Sequence, residues 1–103
     1  MSEIYRALVD LEIYGSIEEG NQNLHEIVLY AGEVYEFELE AEEDEALLDF
    51  YITDEDDKVI YQANAPSDEV VTCYKPEMDA VYRFYVKSVS GSSDYVIRIV
   101  EQE

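Results

Sequence analysis

Val34-Tyr35-Glu36-Phe37-Glu38-Leu39-Glu40-Ala41 alternates apolar and acidic residues over eight positions without a slip, and Glu42-Glu43-Asp44-Glu45 follows at once. Successive side chains of a β-strand point to opposite faces, so this period of two predicts a strand and excludes an amphipathic helix. Tyr35, Phe37, Leu39 and Ala41 fall on one side, which calls for a core. Glu36, Glu38 and Glu40 fall on the other, a row of carboxylates turned outward.

The same period runs through the chain on either side. Upstream, Ile4 to Tyr14 reads as one strand with Leu11 and Ile13 on its apolar face, and residues 15–23, where Gly15 and Gly20 bracket polar residues, read as a turn. Leu24 to Tyr30 reads as a strand joined to 34–41 by the tight connection Ala31-Gly32-Glu33, which predicts a hairpin. Downstream, Leu47 to Thr53 sets Leu48, Phe50 and Ile52 against Asp49 and Tyr51. The turn Asp54-Glu55-Asp56-Asp57 then leads into Lys58 to Gln62, a second predicted hairpin. Val70 to Tyr74, Val81 to Val89 and Tyr95 to Val100 follow, with Tyr82, Phe84, Val86, Tyr95, Ile97 and Ile99 inward. No ten-residue segment keeps helical spacing. About eight short strands punctuated by turns predict an all-β antiparallel sandwich or barrel with essentially no helix. At 103 residues the chain is expected to form a single domain, 1–103, burying roughly 60% of its unfolded surface around one core.

Gly15-Ser16-Ile17-Glu18-Glu19-Gly20, Leu29-Tyr30-Ala31-Gly32-Glu33-Val34-Tyr35, Leu48-Asp49-Phe50-Tyr51-Ile52-Thr53-Asp54, Pro76, Tyr82-Arg83-Phe84-Tyr85-Val86 and Ser90-Gly91-Ser92-Ser93-Asp94-Tyr95-Val96-Ile97 come in that order. Together they resemble the bacterial pre-peptidase C-terminal domain over residues 15–100. The resemblance implies a jelly-roll-like β-sandwich, attached in that family to secreted hydrolases and without catalysis of its own. Ala80-Val81 stands where the family often has a Gly before the position of Tyr82. An accessory module of this kind, steadied by calcium, is one functional expectation.

Charge points to another. Asp and Glu number 26 against 6 Lys and Arg, for a net charge of −20, and 19 of the acids lie within residues 1–57, where Arg6 is the sole base. Such a chain disfavours nucleic acid and anionic membrane as direct partners and favours a basic protein surface or a cation. Adaptation to high salt is a third reading. No run approaches the ~18 apolar residues of a membrane span, the start carries no signal-like apolar stretch, and Cys73 is the only cysteine. A cytoplasmic location is the resulting expectation.

The candidate partner-binding residues are Glu36, Glu38, Glu40, Glu42, Glu43, Asp44, Glu45, Asp49 and Tyr51. One such row places a charge every ~6.8 Å, against one per ~1.7 Å for duplex DNA, so imitation of a duplex would need the neighbouring acids as well. Asp54, Asp56 and Asp57 are the candidate calcium ligands, although Val59 stands where an EF-hand loop needs glycine and Ala65 where it needs glutamate. No catalytic residue and no cofactor are assigned, since His25 is the only histidine and no serine sits in a nucleophile-elbow pattern. His25 is expected to face solvent and Cys73 to pack inward. Tyr14, Tyr30, Tyr51 and Tyr85, with Arg6, Arg83, Lys87 and Arg98, are expected outward. The expected function is a non-enzymatic acidic binding protein. Its partner would be a basic protein surface, such as that of a nucleic-acid-binding protein, for which the acidic face would compete as an inhibitor.

Overall fold

The computed structural model describes residues 4–6, 10–43, 45–63 and 65–102, with residues 4–6 and 102 seen only through their strand pairing. The alternating pattern resolves into β1 (Ile4–Arg6), β2 (Leu11–Ile17), β3 (Gln22–Leu29), β4 (Val34–Ala41), β5 (Leu47–Thr53), β6 (Val59–Gln62), β7 (Glu69–Tyr74), β8 (Ala80–Ser90) and β9 (Ser93–Gln102). There is no helix among the described residues. One sheet has the order β1-β3-β8-β5-β6 and the other β2-β9-β4-β7. All neighbours pair antiparallel except the short β1, which lies parallel to β3. From β2 onward only β5 and β6 are consecutive strands of one sheet, and every other connection crosses to the opposite sheet. This is the jelly-roll arrangement, an antiparallel sandwich of eight strands with β1 added at one edge.

The opening strand behaves as its period demands. Tyr35, Phe37 and Leu39 are buried between the sheets, and the Phe37 ring meets Phe84 of β8 edge-to-face at 5.0 Å. Phe84 also packs on Phe50 of β5, at 6.0 Å, so three aromatic rings from both sheets form the centre of the core. Ile13, Ile27, Leu29, Leu48, Ile52, Val86, Ile97 and Ile99 are among the residues that extend it. Burial of side chains of this size stabilises the fold by roughly 1.5–3 kcal/mol each.

Three expectations about connectivity are corrected. Residues 4–14 are not one strand: β1 and β2 belong to different sheets, with residues 7–9 outside the described set. Nor is Gly15 in a turn, because β2 runs on through Gly15, Ser16 and Ile17 and pairs with β9, leaving only residues 18–21 to turn the chain. Gly15 faces inward opposite Tyr95, and a Cβ there would stand 2.5 Å from the Tyr95 ring, so the glycine makes room for an aromatic side chain. Finally, β3 and β4 do not form a hairpin. Their short connection, with Gly32 at φ 85°, carries the chain from one sheet to the other. It is held by the Tyr30 amide donating to the Tyr35 hydroxyl, at 3.1 Å, and the Ala31 amide donating to Asp79 Oδ1, at 2.7 Å.

The β5–β6 hairpin is present as expected, and Thr53 at its end is 5% exposed with an unpartnered Oγ1. A buried hydroxyl without a partner loses its hydration for nothing. Thr53→Val should therefore leave stability unchanged or raise it by up to ~1 kcal/mol in urea unfolding; a clear loss would mean that the hydroxyl has a partner.

Candidate functional site

The outer face of the four-stranded sheet can be laid out row by row from its register. Glu12 of β2, Arg98 of β9, Glu38 of β4 and Val71 of β7 lie side by side. The next row holds Tyr14, Val96, Glu40 and Glu69, and the row beyond it Ser16 and Asp94. On the opposite flank Val100, Glu36 and Cys73 line up. The strands thus bring Glu12, Glu36, Glu38, Glu40, Glu69 and Asp94 to one face with Arg98 as its strand-borne cation.

Arg98 is the hub of that face. Its Nε donates to Glu12 at 3.2 Å, and its Nη1 donates to Glu38 at 2.9 Å and to Glu40 at 3.3 Å. Desolvation is the largest single effect on the Arg98 pKa and lowers it, but the three carboxylates together outweigh it and hold the pKa above its ordinary value. The acid row is therefore interrupted by one cation and interleaved with Val71, Val96, Val100 and Tyr14. It is a mixed contact surface with a strong negative bias.

Of the remaining candidates, Glu42, Glu43 and Glu45 are exposed just past the end of β4, continuous with this face, and Asp44 lies outside the described residues. The backbone amide of Glu42 donates to the carbonyl of Asp94 at 2.9 Å, which fixes the start of that acidic loop beside β9. Asp49 and Tyr51 go elsewhere. They lie on β5, on the outer face of the five-stranded sheet, which is the other side of the sandwich. There Tyr51 stacks on Tyr85 at 4.5 Å, and Glu26 of β3 and Asp49 of β5 are balanced by their register partners Arg83 and Lys87 on β8 between them. The asymmetry of charge is thus one between faces.

The acidic β5–β6 turn uses its carboxylates to hold itself. Asp54 Oδ1 accepts from the amides of Asp56, at 2.9 Å, and Lys58, at 3.0 Å; Asp57 pairs with Arg83 at 2.8 Å. Among the described residues no three His, Cys, Asp or Glu side chains are grouped so as to hold a metal ion. Cys73, expected inward, is exposed on the outer face of the edge strand β7, because the parity of that strand is set by Val70, Thr72 and Tyr74.

His25 is corrected as well. It shares the inward parity of Ile27 and Leu29, and its Nε2 lies 2.6 Å from the Tyr95 hydroxyl, which also accepts from Asn23 Nδ2 at 3.0 Å. Asn23 donates through that nitrogen, which leaves the hydroxyl proton free for His25 Nε2 when the ring carries its own proton on Nδ1. The three side chains tie β3 to β9 across the end of the core. Burial lowers the His25 pKa below 6.5. A group whose folded pKa is depressed contributes stability above its unfolded pKa and loses it as the pH falls through the folded one. The melting temperature should accordingly begin to fall below pH 6.5, and that early loss should be absent in His25→Gln. An equal slope in the two proteins would show that His25 is not its source.

No protein-family model and no curated protein matches the sequence. The fold, in contrast, is shared. The pre-peptidase C-terminal domain of a collagenase from Bacillus anthracis matches at a TM-score of 0.75 with 14% identity, over 96% of this chain and 96% of that one. PliG from Aeromonas hydrophila, a periplasmic lysozyme inhibitor of g-type lysozyme, matches at 0.68 with 10% identity, over 99% of this chain and 100% of that one. Its Salmonella Typhimurium counterpart matches at 0.55 with 11% identity, over 98% and 100%. The protein has the fold of a pre-peptidase C-terminal domain, a fold that is also found in inhibitors of another protein. The expectation of a cytoplasmic protein is corrected by the same findings, since the inhibitors of this fold are periplasmic. A lone cysteine does not mark the compartment of a sandwich whose core closes without disulfides.

Proposed function

We propose that this is a non-enzymatic binding protein of the inhibitor type, working outside the cytoplasm, whose four-stranded outer face docks on a basic protein surface. The observation that carries the reading is the gathering of Glu12, Glu36, Glu38, Glu40, Glu69 and Asp94 around Arg98 on one face while the opposite face is balanced. Charge of one sign on one face steers a complementary partner and speeds its encounter. Apolar side chains between the charges give the contact somewhere to exclude water. Imitation of a nucleic acid is the weaker form of this idea, because Arg98 draws on three of the carboxylates that a phosphate rail would need. A g-type lysozyme is the first partner to test, on the likeness of fold to its inhibitors.

Binding of the wild type and of Glu36→Lys/Glu38→Lys/Glu40→Lys to a panel of basic proteins that includes a g-type lysozyme, at low and raised salt, tests the reading. Binding should weaken with salt and fall at least ~100-fold on reversal, since like charges brought together cost several kcal/mol. Reversing Glu55, Asp56 and Glu77, at the far end of the sandwich, should change it little. Absence of any binding, or binding that the sheet reversal leaves intact, would refute the proposal.

A further inference from the structure

Along the acidic face, Val96 lies between two taller neighbours, Tyr14 of β2 on one side and Glu40 of β4 on the other. The result is a valley of about 380 Å³ that runs over β9. Its floor is apolar, because Val96 points outward yet is only 7% exposed, walled in by the longer side chains. One wall is the Tyr14 ring, 71% exposed, whose hydroxyl donates to Glu12 at 3.2 Å and so fixes the direction of the side chain. Arg98 closes one end. At the other end stand Asp94, held by a hydrogen bond from the Ser16 hydroxyl, and Glu42, with Glu40 along the side.

We infer that this valley is the anchor pocket for one arginine side chain of the partner protein, a deepening of the docking proposal on which it rests. The parts of an arginine match the parts of the pocket in order. Its aliphatic stem lies on Val96, its guanidinium plane covers the face of Tyr14, and its donors reach Asp94, Glu42 and Glu40. Arg98 repels the head group from the closed end and so sets its direction. A carboxylate ligand is turned away by the acids, and a neutral polar one leaves them without a counter-charge. Lysine fills the same charge requirement, but its compact ammonium neither stacks on an aromatic face nor presents a planar fork to a carboxylate. Arginine anchors of this kind, buried against an aromatic ring, are typical of the residues that dominate interfaces.

Titration of the isotope-labelled protein with N-acetyl-arginine methylamide, its lysine counterpart and its citrulline counterpart, followed by amide chemical shifts, tests the pocket. The arginine compound should move Gly15, Ser16, Glu42, Asp94 and Val96 in a saturable way, the lysine compound less, and the uncharged citrulline compound not at all. Tyr14→Ala should weaken the arginine response two- to fivefold, the size of an exposed cation–π contact. Equal responses to arginine and citrulline, or equal shifts around Asp54 to Asp57, would overturn the assignment, as would a response that Tyr14→Ala leaves unchanged. With a basic protein that binds, the two proposals separate. If the sheet reversal abolishes binding and Tyr14→Ala has no effect, the face stands and the anchor falls; if neither changes binding, both fall.

Discussion

Phe84→Ala should lower the free energy of unfolding by about 3–5 kcal/mol, the range for deleting a buried aromatic ring. Phe84 is fully buried on β8, which β3 and β5 flank, and its ring contacts both Phe37 from the opposite sheet and Phe50 from its own. Removal forfeits the buried area, two aromatic contacts and, because sheets tied on both sides cannot close inward, much of the volume as cavity. A small domain has only about 5–15 kcal/mol in total. The net charge of −20 opposes compaction as well, so added salt should recover part of the loss in the variant. Phe84→Leu, which fills most of the space, should cost less than half as much in the same urea titration. A loss below ~1 kcal/mol for the alanine variant would mean that the sheets are not packed through this triad.

The inward residues of β4, β5, β8 and β9 were legible in the sequence because alternation reports which side of a strand faces the core. Which sheet a strand joins is a different question, and alternation is silent on it. Leu29 and Tyr35 are both inward, as a hairpin would require, yet they enter the core from opposite sheets; a short Gly32 turn serves either geometry. The same silence divided the candidate site. Glu36, Glu38 and Glu40 share the outward parity of Asp49 and Tyr51, but outward from one sheet is the opposite direction to outward from the other. Tyr14, Asp94 and Val96, which build the valley, come from β2 and β9, some eighty residues apart in the chain, and only register places them together. Arg98 was readable as outward. Its role as the shared partner of Glu12, Glu38 and Glu40 needed three strands to be placed at once.

Gly15→Ala is the second large effect to expect, about 2–4 kcal/mol of destabilisation, and it arises from space alone. The φ of Gly15 is not in the left-handed region, so the backbone would accept any residue there. An alanine would otherwise help a strand by roughly 0.5–1 kcal/mol. The obstacle is the Tyr95 ring, whose Cζ and hydroxyl stand 2.5 Å from the added Cβ. Tyr95 is 1% exposed and cannot swing outward, so the ring must shift within the core, and its hydroxyl is then pulled from His25 and Asn23. Overpacking costs about 1–3 kcal/mol, and a polar group left unsatisfied about 1–3 more; the two overlap, because the first movement causes the second loss. A double-mutant cycle isolates the clash. In the Tyr95→Leu background, where the ring and hydroxyl are gone, Gly15→Ala should be close to neutral, giving a coupling energy of about 2–3 kcal/mol. An undiminished penalty in the Tyr95→Leu background would show that β2 tolerates no side chain at this position for reasons other than Tyr95.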